Sequence, residues 1–361
     1  QNLTETEAKI ADICHTIIGT KPDKNSNIFN QGADSIKAIR LVDAIRRTFP
    51  DRQLSLADLF NGPSIQQLAL RIEQEDHEDL AVVHLHKGGA QSPLFLFPGL
   101  MVNTREYTPL ARHLERQGQG DRTISGFVCY SLNQNGGQTQ TVESIAASYA
   151  DYIRKHARGQ ACTFLGWSWG GVLAYEAARQ LGEDVDLQFV GMLDVCDLDV
   201  NFATGTLVQT NPLQEKALSE RVADWLPHTK MRPQWEALFR KMDKDLFRQF
   251  LRYVQTAGGQ LPTDGPNIGS KEYELWTYLD NTLVYRQHIT IPADIPIHVW
   301  RAEDSLTRKL QLVDWTRYSP RVERIETIPG VTHRQIVDSA DFHRSFAQSL
   351  SGAWTQEFED A

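Results

Sequence analysis

Residues 166–171, Gly-Trp-Ser-Trp-Gly-Gly, join the apolar run ACTFL to VLAYEAARQL, a run of strong helix formers. A strand that passes into a helix without a loop needs a sharp turn, and glycine is favoured beside its central residue because a Cβ would clash there. Gly166 and Gly170 occupy those two positions. The pattern predicts that Ser168 is a nucleophile held at the carboxyl edge of a sheet. The alternative is a glycine-rich turn before a packed helix.

Length, composition and charge indicate a globular, acidic protein. A chain of 361 residues is long enough for two or more domains. Apolar residues at 41% and charged residues at 23% are typical of a soluble globular protein. The net charge of −9 indicates no excess of basic residues that could bind phosphates, so nucleic acid is not expected as a partner. No apolar run approaches the roughly 18 residues that span a bilayer, and we therefore expect a cytoplasmic protein without a membrane partner.

The cysteines and histidines do not form a metal-binding pattern. The four cysteines are scattered, and three of them lie in apolar runs, so we expect reduced thiols rather than a disulfide framework. His77, His84 and His86 lie close together but lack a cysteine or carboxylate at ligand spacing, and no metal site is expected. The chain begins Gln-Asn without an initiator methionine, from which we expect a piece of a longer protein.

The first 76 residues predict a small helical bundle. Residues 3–18 carry one amphipathic stripe, a second begins at Ser35, and a third begins at Ser64 with a capping box. Residues 77–92 are expected to be a linker, because the stretch from residue 73 begins with acidic residues and later contains Gly-Gly. The alternative is that Leu80–Leu85, the apolar part of this stretch, forms an edge strand of the next domain.

Residues 93–361 alternate apolar runs with helical patterns, which predicts a mostly parallel sheet with helices on both faces. The active site of such a sheet lies at the carboxyl ends of its strands. Between about residues 200 and 290 the alternation stops and the pattern is helical. We interpret this insertion as a helical lid.

Two aspartates compete to complete a catalytic triad with Ser168 and His333. The order serine, acid, histidine is that of α/β-hydrolases, although a histidine in a loop is often only solvated. Asp194 ends an almost wholly apolar strand, whereas Asp304 lies between polar neighbours that are typical of a solvated loop. The acid must be shielded and must accept the imidazole N–H, which favours Asp194.

Ser35 begins a predicted helix directly after Gly32-Ala33-Asp34. It is either an N-cap or the site of a phosphodiester, which the helix N-terminus would attract. NIFNQGADSIKAIRL resembles the phosphopantetheine site of carrier proteins, most closely the peptidyl carriers of non-ribosomal peptide synthetases. The resemblance covers about residues 4–76 and implies that Ser35 carries 4′-phosphopantetheine. Ala33 stands where a glycine is common.

Residues 92–350 resemble the type I thioesterases that end non-ribosomal peptide and polyketide assembly lines. The motifs that carry the resemblance are LFLFPG, LGWSWGG, GMLD and GVTH. It implies that the backbone N–H groups of Trp169 and Leu100 bind the oxyanion. Leu100 lies in the loop after the strand LFLF. Where the family usually has Pro-Gly-Gly in this loop, this chain has Pro98-Gly99-Leu100.

Together these features predict a carrier–thioesterase didomain, with a carrier at 1–76, a linker at 77–92 and an α/β-hydrolase domain at 93–361. A peptidyl or acyl chain would pass from Ser35 to Ser168, and water or an internal nucleophile would then release it. Expected partners are upstream condensation and adenylation domains and a phosphopantetheinyl transferase. The alternatives are a free-standing serine esterase with a helical appendage and a non-catalytic binding module.

Overall fold

The computed structural model describes residues 3–50, 54, 56–73, 82–99, 104–128, 140–198, 212–256, 261 and 271–353. Its N-terminal part is the predicted helical bundle, whose helices are α1 (Glu5–Ile18), α2 (Ser35–Thr48), α3 (Leu56–Asn61) and α4 (Ile65–Glu73). Helix α1 begins in a capping box, in which Thr4 and Glu7 each accept the other's backbone N–H. The apolar stripes of these helices meet in one buried cluster that includes Ile10, Leu41, Ile45 and Leu68.

The C-terminal part is built on a seven-stranded sheet. Its strands are β1 (Val82–His86), β2 (Gln91–Phe97), β3 (Arg122–Phe127), β4 (Ala161–Trp167), β5 (Asp186–Leu193), β6 (Ile297–Ala302) and β7 (Val322–Ile328). The strand order is β1-β3-β2-β4-β5-β6-β7. β1 pairs antiparallel with β3, and the other neighbours pair in parallel. The expected mostly parallel sheet is confirmed.

Helices cover both faces of this sheet. The described helices of this C-terminal part are, in chain order, α5 (Thr108–Leu114), α6 (Val142–Ala157), α7 (Trp169–Leu181), α8 (Pro212–Trp225), α9 (Arg232–Lys241), α10 (Lys244–Thr256), α11 (Lys271–Arg286), α12 (Glu303–Thr307) and α13 (Ala340–Ser351). Phe95 and Phe97 of β2 join the cluster of α6 and α7, while Leu94 and Leu96 join that of α5 and α13. Because both faces are buried, the central strands β2, β4 and β5 carry apolar residues at consecutive positions.

Helices α8 to α11 form the predicted helical insertion between β5 and β6. They have a core of their own, which includes the fully buried Trp235 and Phe250. The aromatic residues of the insertion therefore pack largely against one another. Gly258, Gly259 and Gly265, which punctuate the insertion in the sequence, lie outside the described residues.

The predicted linker at 77–92 needs a correction, because Val82–His86 is a strand of the sheet. Val82 pairs with Phe127, and the following residues continue antiparallel along β3. The edge of β3 would otherwise leave a row of backbone donors and acceptors without strand partners. The alternative of an edge strand is the one that the structure contains, and residues 74–81 lie outside the described part of the chain.

Among the described residues, no helix combines the length and the apolar character needed to cross a bilayer.

Candidate active site

The turn between β4 and α7 has the strained geometry that its glycines predict. Ser168 has a φ of 53°, which places a non-glycine residue in a sparsely populated region. Such a conformation costs on the order of 1–3 kcal/mol and persists only where its surroundings enforce it. A Cβ on Gly166 would collide with the backbone of Gly170, and one on Gly170 would lie 2.5 Å from the Phe97 carbonyl oxygen. The close approach of backbones therefore enforces the turn and presents Ser168 at the end of β4.

Asp194 follows β5 directly and is fully buried. Its Oδ2 lies 2.7 Å from the His333 Nδ1 and also accepts a hydrogen bond from the Ser305 hydroxyl at 2.7 Å. Its Oδ1 accepts the Ala302 backbone N–H at 2.7 Å. Because an ionised carboxylate can only accept, the His333 Nδ1 must be the donor. This tautomer leaves Nε2 of a neutral imidazole as a proton acceptor, as a general base requires.

Asp304, the competing acid, lies in the short helix α12. Its carboxylate is 3.8 Å from the Arg308 guanidinium, and its side chain is 37% exposed. The polar neighbours of Asp304 predicted a solvated loop, but Ser305 is fully buried beneath the Asp194 carboxylate. The structure thus brings His333 to Asp194, and it makes Ser305 a partner of that acid. The sequence did not single out Ser305, because a serine next to Glu303 and Asp304 is typical of a solvated loop.

The loop that carries His333 is held by contacts from two other strand ends. The Trp167 Nε1–H donates to the His333 carbonyl at 3.0 Å, and the two rings lie 5.4 Å apart. The Glu303 carboxylate accepts the Gly330 N–H at 2.7 Å. Trp167 directly precedes Ser168, so the histidine loop is attached to the strand that presents the candidate nucleophile.

Tyr107 links two strand ends beneath the candidate active site. Its fully buried hydroxyl donates to the Phe97 carbonyl at 2.8 Å and accepts the Trp167 N–H at 2.9 Å. Burial raises the pKa of the Tyr107 phenol, which stays neutral and can fill both roles. Phe97 precedes the loop of the predicted second oxyanion donor, Leu100, which itself lies outside the described residues. Nothing in the local sequence marked Tyr107, because its partners are distant in the chain.

We expect Tyr107→Phe to lower kcat about tenfold with little change in KM, measured with a soluble acyl thioester. The change leaves the Phe97 carbonyl and the Trp167 N–H unpaired, which costs about 1–3 kcal/mol and loosens the turn at Ser168. Tyr149→Phe is the matched control, because its buried hydroxyl donates to the Val128 carbonyl at 2.8 Å, away from β4. Both variants should lose stability on thermal unfolding. An equal kcat loss in both would assign Tyr107 a purely structural role.

Cys196 is close to the acid and histidine, and its Sγ lies 3.9 Å from the Asp194 carbonyl. Potential ligand atoms of Asp194, Cys196 and His333 lie within 4.8 Å of one another. Burial, with the nearby Asp194 and Asp197 carboxylates, raises the pKa of the Cys196 thiol to about 12. The Asp194 and His333 atoms of this group are hydrogen-bonded to each other, and the two Asp194 oxygens also accept hydrogen bonds from Ser305 and Ala302.

The other described cysteines and the two histidines of β1 take part in packing and hydrogen bonding. Cys14 and Cys162, like Cys196, are free thiols, and Cys129 lies outside the described residues. The rings of two histidines on β1 bond to β3 and the turn before it: His84 Nδ1 lies 3.1 Å from the Ser125 hydroxyl, and His86 Nε2 lies 2.5 Å from the Gly120 carbonyl. His77 is also outside the described part of the chain.

Helix α2 begins at Ser35, as the sequence predicts, but Ser35 is not the residue that caps it. The cap is Asp34, whose carboxylate accepts the Lys37 N–H at 2.7 Å. The Lys37 ammonium also donates to the Gly32 carbonyl at 2.8 Å, which closes the loop before the helix. Since Asp34 caps the helix, the N-cap alternative for Ser35 is wrong. A first-turn position at the N-terminus of a 14-residue helix fits a phosphodiester, because free N–H groups and the helix dipole attract an anion.

Family models match both parts of the chain. Residues 92–345 match the model described as thioesterase domain. The chain belongs to the thioesterase domain family. Residues 8–72, ahead of the thioesterase domain, match the model described as phosphopantetheine attachment site. The predicted pairing of a carrier domain with a thioesterase domain, and the phosphopantetheine cofactor, are confirmed.

Several relatives of this carrier and thioesterase pair are synthases of much greater length. Indigoidine synthase from Dickeya dadantii is 29% identical over 158 residues, which are 44% of this chain and 10% of that protein. Orsellinic acid synthase ArmB from Armillaria ostoyae is 37% identical over 134 residues, which are 37% of this chain and 5% of that protein. The chain thus matches a tenth or less of the length of these relatives.

A solved structure shares the fold over nearly the whole chain. The crystal structure of a four-domain nonribosomal peptide synthetase bound to AMP and glycine is 20% identical, with a TM-score of 0.50. The match covers 98% of this chain and 27% of that one. The likeness supports the α/β-hydrolase fold of the thioesterase domain, and that fold and family support a hydrolase or thioesterase activity.

Proposed function

We propose that this chain is the terminal carrier–thioesterase module of a non-ribosomal peptide synthetase. Its carrier domain (1–76) delivers a peptidyl or acyl chain from Ser35 to Ser168 of the thioesterase domain (93–361), which releases it by hydrolysis or cyclisation. The observation that carries the proposal is the 2.7 Å contact between His333 and the buried Asp194, beside a strained serine turn, in a chain that also has a phosphopantetheine attachment domain.

The proposed chemistry is acyl transfer by a serine nucleophile. When bound, phosphopantetheine supplies the thiol that holds the chain as a thioester. The Ser168 hydroxyl attacks the thioester carbonyl, and the His333 Nε2 takes the hydroxyl proton. The C–S bond then breaks, and His333 returns the proton to the leaving thiol. Asp194 holds the imidazole tautomer and stabilises the imidazolium, and the backbone N–H groups of Trp169 and Leu100 are the proposed oxyanion donors.

Release from Ser168 repeats these proton transfers with a second nucleophile. Water, or an amine or hydroxyl of the chain itself, loses its proton to His333 and attacks the acyl ester. The helical insertion between about residues 200 and 290 is the proposed lid that controls which nucleophile enters. Helix α11 of this insertion contacts the segment that follows Asp194, because the Tyr285 hydroxyl donates to the Cys196 carbonyl at 3.1 Å.

The two alternative functions explain less of the chain. A free-standing serine esterase gives no role to the phosphopantetheine attachment domain at 8–72. A binding module requires the contacts among Asp194, His333 and the strained Ser168 turn to be a coincidence. The proposal also names partners, which are the upstream condensation and adenylation domains and a phosphopantetheinyl transferase.

Ser35→Ala is expected to abolish loading of the carrier domain. After incubation with coenzyme A and a phosphopantetheinyl transferase, intact mass should show one added phosphopantetheine on the wild type and none on the variant. Ser26→Ala, in the loop between α1 and α2, is the matched control and should load normally. Uptake that persists in Ser35→Ala would contradict the assignment. The Ser35→Ala protein should still hydrolyse a soluble acyl thioester, because Ser168 is intact.

A further inference from the structure

One contact between the two domains is not explained by the folding of either. The side chain of Asn61, the last residue of α3 in the carrier domain, bonds to the backbone of β1 in the thioesterase domain. Its Nδ2–H donates to the Val82 carbonyl at 2.8 Å, and its Oδ1 accepts the His84 N–H at 2.8 Å. The amide therefore uses both a donor and an acceptor on the edge of the sheet.

These bonds imitate strand pairing. A residue of a parallel strand donates to the residue before its partner and accepts from the residue after it. Asn61 does this around Val83, with Val82 before it and His84 after it. Among the described strands β1 is the outermost one, and its other side pairs with β3. Asn61 thus satisfies backbone groups that an edge strand leaves open.

An apolar contact continues the interface below Asn61. Val83 is 2% exposed and belongs to the same buried cluster as Leu59 and Phe60 of α3. Val128, which follows β3, is fully buried and belongs to that cluster as well. Residues of the sheet edge therefore complete the core of the carrier bundle.

The contact lies at the end of the sheet that presents Ser168. Because β1 is antiparallel, its first residue Val82 pairs with Phe127, the last residue of β3. Ser168 follows the same end of β4, which is three strands from β1 in the sheet. At about 4.8 Å per strand this separation is about 14 Å across the sheet. The docked carrier domain is thus a neighbour of the candidate active site.

We propose that the β1 edge is a docking site for the carrier domain, with Asn61 and Val83 as its contacts, and that docking speeds delivery to Ser168. This inference rests on the proposed function. Docking raises the effective concentration of a chain tethered to the carrier domain, without adding any contact to the acyl group. Variants of the docking site should therefore slow release of the tethered chain and leave reaction with a soluble thioester unchanged.

The test compares single-turnover release of an acyl group loaded on the full chain with hydrolysis of its N-acetylcysteamine thioester. Asn61→Ala should slow release of the tethered acyl group about fivefold, a moderate effect because Asn61 lies at the exposed rim of the contact. The N-acetylcysteamine thioester should react at the wild-type rate. Asn25→Ala, a second exposed asparagine of the bundle, is the matched control and should change neither reaction.

Two further measurements separate docking from misfolding and from failure of the proposed function. Hydrogen exchange at the His84 amide should be faster in Asn61→Ala than in the wild type, while loading by the transferase stays normal. Val83→Ala should reproduce the split between tethered and soluble substrates from the other side of the interface. Unchanged or faster tethered release in both variants would overturn the docking proposal. Absence of any reaction of wild-type protein with the soluble thioester would instead count against the proposed function.

Discussion

Ser168→Ala is expected to leave the acyl chain on the carrier domain and to lower release by about 10⁴-fold or more, as loss of a serine nucleophile does in other enzymes. Alanine keeps the sharp turn, because Gly166 and Gly170 still allow the backbones to approach. Only the hydroxyl that would form the acyl ester is removed. Intact mass over time should show the acylated phosphopantetheine persisting on Ser35.

The control for this experiment is Ser148→Ala on α6, which removes a hydroxyl that donates to the Ile145 carbonyl at 2.7 Å. It should release the chain at the wild-type rate. Phosphopantetheine loading should be equal in wild type, Ser168→Ala and Ser148→Ala, since Ser35 and Ser168 have separate roles. Equal release from wild type and Ser168→Ala would show that the serine turn does not provide the nucleophile.

Asp194→Asn is expected to lower turnover by up to about 10⁴-fold, the loss seen when the acid of such a triad is removed. All three donors around the carboxylate, from His333, Ser305 and Ala302, need an acceptor. An amide offers one oxygen and turns an N–H₂ group toward the others. It therefore favours the wrong tautomer of His333 and removes the charge that stabilises the imidazolium.

The paired variant Asp304→Asn should change turnover by less than about tenfold. Its carboxylate is 3.8 Å from the Arg308 guanidinium, and its side chain is 37% exposed. Deacylation rates of the two variants, measured after acylation by a soluble thioester, decide between the acids. A larger loss in Asp304→Asn would transfer the role of the acid to Asp304.

Local sequence was sufficient to predict the turn at Ser168 and the class of fold around it. A strand run, a serine between glycines and a helix run specify a sharp turn by sterics alone, since the clash at Gly166 involves residues only a few positions away. The alternation of strand and helix patterns likewise predicts a parallel sheet, because each element must bury its apolar face against the next. Ser35 could be placed at a helix start for a similar reason, as its neighbours Asp34 and Lys37 interact within one turn.

The tertiary structure decided what depends on residues distant in the chain. Ser305 reaches Asp194 across 111 positions, and the Tyr107 hydroxyl meets Trp167 across 60. Neither contact leaves a local pattern, because a single serine or tyrosine in a polar or amphipathic run is compatible with many environments. Sequence favoured Asp194 over Asp304, but the contact of Asp194 with His333, like that of Asn61 with β1, forms only when the sheet order brings these elements together. The local sequence pattern determines which helices and strands form. The packing of these elements then determines which buried polar groups must form hydrogen bonds with one another.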